Sequence, residues 1–424
     1  MAFYVFGVFS GFVDRLTFLH AVRPMLLSAL FGLLVAGLSG RMWMVMRHPV
    51  GIALLGFTVC MMMAIPFSIW RGNSMDVFLN QWLSSLFTFF LVASLVWDVR
   101  DCRKVLSLLA GAAVLLASWS LAEGADMGGR LVFGASRYAN PNDLAMVLLA
   151  ASPALGFLVV HSGSRLRQAL GLLGCIPVLL AIAKTGSRAG LLGAGVLVLL
   201  AFRYASAVNK FKVAAGAGLA LALSLLMLPE QLQQRFVTFF GQSSSDQALD
   251  METVGSTYAR RQLLLDSLTL TIRHPLLGVG PGNFAVAQDE LARSRGEEMG
   301  HWRVTHNTYT QVSSECGLPA LMLFLAAILG AFRCLGRVQR LPGTSGLWKE
   351  PELIARTLRI SLWSFCVTVF FASVAYLPFL PILCGLCVGL EYAARQTLPS
   401  SVPKTQPMLG RPSLPAQPAV AARS

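Results

Sequence analysis

Charged residues are scarce in this chain. Only 13% of its 424 residues are Asp, Glu, Lys or Arg, whereas 55% are hydrophobic. A soluble globular domain carries about 25% charged residues, so the composition excludes that class. Long apolar runs stand where charge is missing, and about 20 such residues are enough to cross a bilayer. The sequence therefore predicts a polytopic membrane protein.

Two other features are lacking: cysteines in loops outside the membrane, and an internal repeat. The 8 cysteines fall mostly inside apolar runs, where they pack as small hydrophobes, so no disulfide framework is indicated. Cys384 and Cys387 have the spacing of a redox or zinc motif, but they lack a second pair and a nearby histidine. Without a repeat, the pattern does not favour an inverted-repeat transporter.

The apolar runs predict an all-α bundle of about twelve transmembrane helices. The first run, MAFYVFGVFSGFV, has no basic start and no small-residue cleavage site, so we interpret it as a span and not as a signal peptide. The predicted spans are residues 2–13, 24–40, 50–70, 75–97, 105–122, 142–160, 169–184, 189–203, 213–228, 308–333, 354–374 and 376–393.

Basic residues predict the orientation of this bundle. With both termini in the cytoplasm, more than half of the 34 Lys and Arg residues fall in inside loops or the tail, as the positive-inside bias of short loops requires. The net charge of +14 is spread between the spans, which argues against a nucleic-acid surface. The long segment 229–307, between spans nine and ten, is then predicted to be a helical periplasmic loop.

We divide the chain into two parts. Residues 1–395, with the loop 229–307 included, are predicted to form a transmembrane catalytic domain. Residues 396–424 form a tail rich in proline that cannot build a core, so we predict a disordered cytoplasmic segment.

Arg188 lies in the predicted outside turn KTGSRAG, residues 184–190, against the positive-inside bias. An arginine at a helix end is commonly an interfacial anchor. The alternative is a binding role, because the planar guanidinium can donate two hydrogen bonds to one phosphate.

Arg260 and Arg261 lie in TYARRQLLLDSLTLTIR, residues 257–273, which has the period of an amphipathic helix. Both could be the polar edge of a helix resting on the bilayer. Arg260 shares a stripe with Leu264 and Leu268, so we expect Arg260, and not Arg261, to point inward.

The next segment, HPLLGVGPGNF at 274–284, contains three glycines in alternate positions. It does not fit a nucleotide-binding motif, because no strand precedes it and no Lys-Ser or Lys-Thr follows. We interpret it as a tight turn that returns the chain to the membrane.

The stretch THNTYTQVSSECG, residues 305–317, precedes a long apolar run and places His306 beside Asn307 at the outer end of a predicted helix. His306 could mark the start of the helix or act as a base. Glu315 lies nine residues later, half a turn away and about 13 Å deeper, so we assign it a structural role.

The segment SRYANPNDLA, residues 136–145, predicts a helix start in which Asn140 caps and Pro141 occupies the first helical position. Arg137 and Asn142 lie on the same outer face. We count them, with Arg261 and Asn307, as candidate substrate-binding residues.

The order of GSRAG, an arginine-bearing amphipathic helix, HPLLGVGPGNF and HNTYTQVSSECGLPALMLF resembles the O-antigen ligase and O-antigen polymerase superfamily of bacterial envelope enzymes. The resemblance covers roughly residues 130–335. The sequence departs from the usual pattern at Leu264, where many members carry an aromatic residue, and at Pro319, where glycine is usual.

The resemblance implies transfer of a glycan from undecaprenyl diphosphate to an acceptor hydroxyl at the periplasmic face of the bacterial inner membrane, with no metal, nucleotide or other cofactor. It implies that His306 is the general base and that Arg188 and Arg260 hold the diphosphate. A ligase would use lipid A core as acceptor, and a polymerase would join repeat units. An alternative of another class is a polysaccharide transporter or flippase, which the span count alone suggests.

Overall fold

The computed structural model describes the chain in separate ranges, with the side chains of the segment from 247 onward described from residue 258. These ranges are residues 1–12, 23–126, 129–134, 138, 140–161, 164–205, 210–211, 213–218, 222, 247–296, 302–341 and 349–396. The predicted tail, the candidate Arg137 and most of the predicted span 213–228 lie outside the described residues.

The described chain is almost entirely helical, so the predicted all-α class is confirmed. One short antiparallel pair of strands, Ala125–Asp126 with Leu131–Val132, was not predicted. In chain order the helices are α1 (Ala2–Ser10), α2 (Pro24–Leu38), α3 (Arg41–Met46), α4 (Pro49–Ala64), α5 (Arg71–Asp76), α6 (Leu83–Leu95), α7 (Val99–Glu123), α8 (Pro141–His161), α9 (Arg165–Lys184), α10 (Arg188–Tyr204), α11 (Gln247–Arg273), α12 (Phe284–Ser294), α13 (Thr308–Arg340), α14 (Lys349–Thr368) and α15 (Phe379–Gln396).

Among the described residues, 7 helices are long and apolar enough to cross a membrane, so the chain is a multi-pass membrane protein. They are Pro49–Phe67, Arg71–Leu95, Val99–Glu123, Pro141–His161, Arg165–Lys184, Thr308–Arg340 and Glu350–Phe371. The predicted count of about twelve is not confirmed. Three predicted spans are too short to be counted, since α1, α2 and α10 have 9, 15 and 17 residues. α15 is less apolar because its last turns carry Glu391 and Arg395.

Small residues let the helices of the bundle approach closely. Gly385 and Gly389 lie one turn apart on α15 and face the end of α6. A Cβ atom at Gly385 would lie 3.0 Å from Val92 Cβ, and one at Gly389 would lie 2.7 Å from Val96 Cβ. In a lipid environment helix association depends on such packing, because lipid tails are as apolar as the side chains they would replace. Cys384 and Cys387 are buried in this same helix, as the packing interpretation expects.

α13 is interrupted at Gly317, whose φ of +86° and ψ of 173° are not helical. Pro319 has no N–H, so it cannot donate to the carbonyl of Glu315 four residues earlier. Leu318 N–H donates instead to the Pro275 carbonyl at 2.7 Å. Two helix carbonyls, those of Ser314 and Glu315, are therefore left for other donors.

The glycine loop, residues 275–283, supplies those donors. Val279 N–H donates to the Ser314 carbonyl and Gly280 N–H to the Glu315 carbonyl, both at 2.9 Å. Gly280 has a φ of +101°, a left-handed conformation that glycine adopts without strain. The loop forms a turn, as predicted. Its N–H groups supply the hydrogen-bond partners that the two carbonyl groups at the kink need, because buried backbone groups are paired in folded proteins.

The carboxylate of Glu315, within α13, also binds the glycine loop. It accepts hydrogen bonds from Gly282 N–H at 2.8 Å and from the Tyr376 hydroxyl at 2.6 Å, and it is almost fully buried. The loop is also bound to α5 and to the segment before it, where Asn283 donates to the Ser74 and Ser68 hydroxyls. Three separate parts of the chain thus meet at this loop, and the structural role assigned to Glu315 is borne out.

We expect Glu315→Leu to destabilise the protein. The Gly282 N–H and the buried Phe284 N–H would lose their acceptor, and the buried Tyr376 hydroxyl would keep only the weak sulfur acceptor of Cys316, at 3.3 Å. Each buried donor left unsatisfied costs about 1–3 kcal/mol. Thermal unfolding of the purified protein in detergent measures this loss. Glu352→Gln is the matched control, because Glu352 is a half-exposed partner of Arg356; an equal loss in both variants would contradict the assigned role.

Candidate functional site

The first part of α13 and the end of α11 run side by side in the same direction. The hydroxyls of Thr271 and Ser313 are 2.8 Å apart, and Pro275 and Leu318 are joined by a backbone hydrogen bond. Arg260 lies eleven residues before Thr271 in α11, and His306 lies just before α13, which begins five residues before Ser313. Both residues therefore lie on the same side of the contact between Thr271 and Ser313.

A second contact fixes the rotation of α11. Arg295 makes a bidentate ion pair with the buried Asp266, with bonds of 2.7 and 3.2 Å. Leu263 and Leu270 pack on Phe284 and Leu291 of α12, so the core-facing stripe of α11 runs through these leucines and not through Leu264 and Leu268 as predicted. This stripe leaves Arg260 half-buried at its edge, whereas Arg261 is exposed. The preference for Arg260 as the inward-pointing residue thus holds, although the stripe is displaced by one residue.

The helix begins at Thr308, the predicted first residue of this span, and His306 lies in the loop before it with a φ of +50°. The Thr305 hydroxyl donates to the Asn307 carbonyl at 3.1 Å, a contact that spans His306 and holds this left-handed conformation. Asn307 is the N-cap of α13, and its side-chain oxygen accepts from Tyr309 and Thr310 N–H. The structure thus gives Asn307 a capping contact, which orients the residue before it.

The pKa of His306 is lowered from its usual 6.5 to about 4. Burial is the largest cause, because a protein environment solvates the imidazolium poorly. The positive charges of Arg260 and Arg303 add to the effect, which places Arg260 close enough to act on His306 electrostatically. The imidazole is therefore neutral at pH 7 and able to accept a proton.

The segment after α14 anchors the His306 loop. The Thr305 hydroxyl lies 2.8 Å from that of Ser373, and the Thr308 hydroxyl donates to the Ala372 carbonyl at 2.7 Å. The end of α14 also contacts α10, because a Cβ atom at Gly193 would meet the side chain of Thr368. Arg188 is the first residue of α10; it follows the turn 185–187 directly and precedes Gly193 by five residues. Arg188 and His306 therefore belong to segments that pack on the same stretch, residues 368–373.

A buried polar network shapes the turn that carries Arg188. Asn142 accepts hydrogen bonds from the Ser187 hydroxyl at 2.7 Å and from Arg130 at 3.1 Å. Arg130 also donates to the Thr185 carbonyl at 2.8 Å, and the Ser187 hydroxyl caps α10 by accepting from Gly190 N–H. Asn142 thus serves as a support for the turn. The predicted cap at Asn140 is confirmed, since its side chain accepts from Asn142 N–H.

A possible metal-binding group lies far from these residues. The ligand atoms of His48, Cys334 and Glu391 lie within 4.8 Å of one another in the described part of the chain. Both carboxylate oxygens of Glu391 also accept from Arg337, and one of them accepts from Arg395 at 2.6 Å. These two guanidinium groups would compete with a cation for the Glu391 carboxylate. Cys334 also lies 28 positions after His306 in the chain, so this group is remote from the candidate site.

Comparison with known families finds a match for the segment that contains the candidate residues. Residues 173–325 match the family described as O-Antigen ligase. This segment is similar to an O-antigen ligase domain. The match includes Arg188, Arg260 and His306, and the family implies lipid-linked glycan substrates and an enzyme of ligase or polymerase type. No curated protein matches the chain significantly.

Some residues that support the candidate site were not among the predicted site residues. Arg130 precedes the matched segment, and Thr305 and Ser373 are ordinary hydroxyl residues whose contact depends on the fold. Asn142 was a predicted candidate, but its hydrogen bonds to Ser187 and Arg130 were not predicted. A signal existed for Arg130, which lies in a predicted outside loop against the charge bias.

We predict that His306 of the matched segment reacts as a neutral imidazole well below pH 6.5. Modification by diethyl pyrocarbonate, followed on the His306 peptide by mass spectrometry, should persist at pH 5 and fall as the pH approaches 4. Arg303→Gln removes one of the nearby charges, so it should move the midpoint upward. A wild-type midpoint near 6.5, or no shift in the variant, would contradict the assigned environment.

Proposed function

We propose that this protein transfers a glycan from undecaprenyl diphosphate to an acceptor hydroxyl at the periplasmic face of the bacterial inner membrane, as an O-antigen ligase with lipid A core as acceptor. The observation that carries the proposal is that Arg260 acts electrostatically on the neutral His306, whose loop packs against residues 368–373, as does the helix that begins at Arg188. A base next to fixed cations is the arrangement that attack on a diphosphate-linked sugar requires.

The reaction is a single displacement. The acceptor oxygen attacks the anomeric carbon while the imidazole of His306 takes its proton. The bond from the anomeric carbon to the diphosphate oxygen breaks, and that oxygen leaves with the electron pair. Positioned proton transfer of this kind contributes about 10²–10⁴-fold to a rate.

Arg188 and Arg260 stabilise the leaving diphosphate. Charge develops on its oxygens in the transition state, and fixed guanidinium groups beside the low-dielectric membrane interact with that charge strongly. Because the donor is already activated by its diphosphate, we assign no metal or nucleotide cofactor to the reaction. Arg130 and Asn142 act as positioning residues that hold the turn before Arg188.

We expect Arg188→Lys and Arg260→Lys each to slow glycan transfer by about 10–100-fold. Lysine keeps the charge but cannot make the bidentate contact, and a hydrogen bond to a charged group contributes about 1.5–3 kcal/mol. The assay follows transfer from a purified lipid-linked glycan to acceptor in proteoliposomes. Arg273→Lys is the control, because Arg273 is exposed on α11, the helix that carries Arg260. Full activity of both site variants would mean that the arginines are membrane anchors.

Deletion of the gene distinguishes the ligase from the polymerase. A ligase deletion should leave undecorated lipid A core together with long carrier-linked chains, because polymerisation continues without transfer. A polymerase deletion should leave lipid A core carrying single repeat units. Gel separation of the surface polysaccharide and of the carrier-linked glycan measures both. The second pattern would replace the ligase assignment with the polymerase alternative.

A further inference from the structure

α11 has two apolar faces, of which the described part of the chain covers one. Leu263 and Leu270 are buried against α12. On the opposite side Leu265, Leu268 and Ile272 are exposed, and Leu276 continues their line beyond the helix end. Ile272 is 78% exposed and Leu276 is 70% exposed, which is unusual for large aliphatic side chains in contact with water.

This exposed stripe joins an apolar surface of a candidate membrane span. Leu318, bonded through its backbone to Pro275, begins a second exposed line on α13 that continues through Met322, Leu325 and Leu329. These residues follow one another at intervals of three or four, so they form one face of the helix. In a span of this length such a face meets lipid. The exposed stripe of α11 is continuous with it.

The depth of the contact agrees with this continuity. α13 has 33 residues and is about 50 Å long, whereas the hydrocarbon core of a bilayer is about 30 Å thick. Counting about 20 residues back from Arg333, the first basic residue after its apolar run, reaches Ser313. Ser313 is the residue whose hydroxyl contacts Thr271. The end of α11 therefore lies at the boundary of the hydrocarbon core.

Aromatic and basic residues mark the same boundary. Trp70 follows the span Pro49–Phe67, and its ring contacts that of Trp302 with centroids 6.4 Å apart. Tryptophan is enriched at membrane interfaces. Arg261 lies within the exposed stripe, four residues from Leu265, where a long side chain can extend from the apolar surface to lipid phosphates.

We propose that the exposed face of residues 265–276 rests in the outer part of the bilayer on the His306 side, against ordinary membrane lipid. The neighbouring arginines Arg260 and Arg261 then have different partners: Arg261 extends toward lipid headgroups and Arg260 faces His306. The membrane itself fixes the height of Arg260. This inference concerns the surface of α11 and is independent of the proposed reaction.

The test compares two neighbouring positions. Ile272→Cys and Arg273→Cys, about 100° apart around the helix, are each labelled with an environment-sensitive fluorophore in full-length protein. The proteins are reconstituted in phosphatidylcholine vesicles that contain a lipid with a nitroxide near its headgroup and no glycan donor. Wild-type protein treated in the same way gives the background from native cysteines. Leu276→Cys provides a second lipid-facing position if Ile272→Cys does not fold.

We expect blue-shifted emission and strong quenching at position 272, and weak quenching at position 273. Equal quenching at both positions, or none at 272, would overturn the proposal. Blue-shifted emission without nitroxide quenching that appears only after the lipid-linked donor is added would assign the stripe to the donor's polyprenyl chain and would also overturn it. Disulfide crosslinking between copies of the unlabelled Ile272→Cys protein, with no quenching of the labelled protein, would assign the face to a second copy of the chain and would overturn it too.

Discussion

A single buried carboxylate connects the parts of this protein that the site requires. Glu315 lies inside a candidate membrane span and accepts hydrogen bonds from the glycine loop and from Tyr376. Pro319 and Gly317 open the helix at the same level, so that the loop can bond to carbonyls that a continuous helix would have used. This connection fixes the glycine loop against α13, and the hydrogen bonds of Asn283 fix it against Ser68 and Ser74. The loop in turn sets where α11 ends beside α13.

The consequences extend outward from that point. Because the loop is fixed at the kink, α11 runs beside the start of α13, and Arg260 acts electrostatically on His306. The hydroxyls of Thr305 and Thr308 then bind the residues after α14, which also pack against α10. The site is therefore assembled from helix ends and short loops held by a rigid bundle, an arrangement that suits a reaction at a membrane surface.

The amino-acid sequence was sufficient for the membrane class, the helical fold and the order of the motifs. The membrane class followed from the composition, and the motifs followed from arginines at unusual positions. Both can be seen directly in the sequence without knowledge of contacts between distant residues. The count of spans was less secure because several apolar helices are short or end in charged residues, such as Glu391. The stripe of α11 was displaced by one residue, because its leucines point both to the core and outward and periodicity cannot separate two apolar faces. The supporting contacts of Arg130, Asn142 and Thr305 depend on residues distant in sequence, which no local pattern encodes.

The central claim is that His306 accepts a proton during transfer of a glycan from a lipid diphosphate. The most direct measurement uses purified wild-type and His306→Ala proteins in vesicles with donor and acceptor, and follows both the glycan joined to acceptor and the undecaprenyl diphosphate released. We predict one diphosphate released for each glycan joined by the wild-type protein, and a fall in both by about 10²-fold or more in the variant. Transfer by His306→Ala at the wild-type rate would contradict the account.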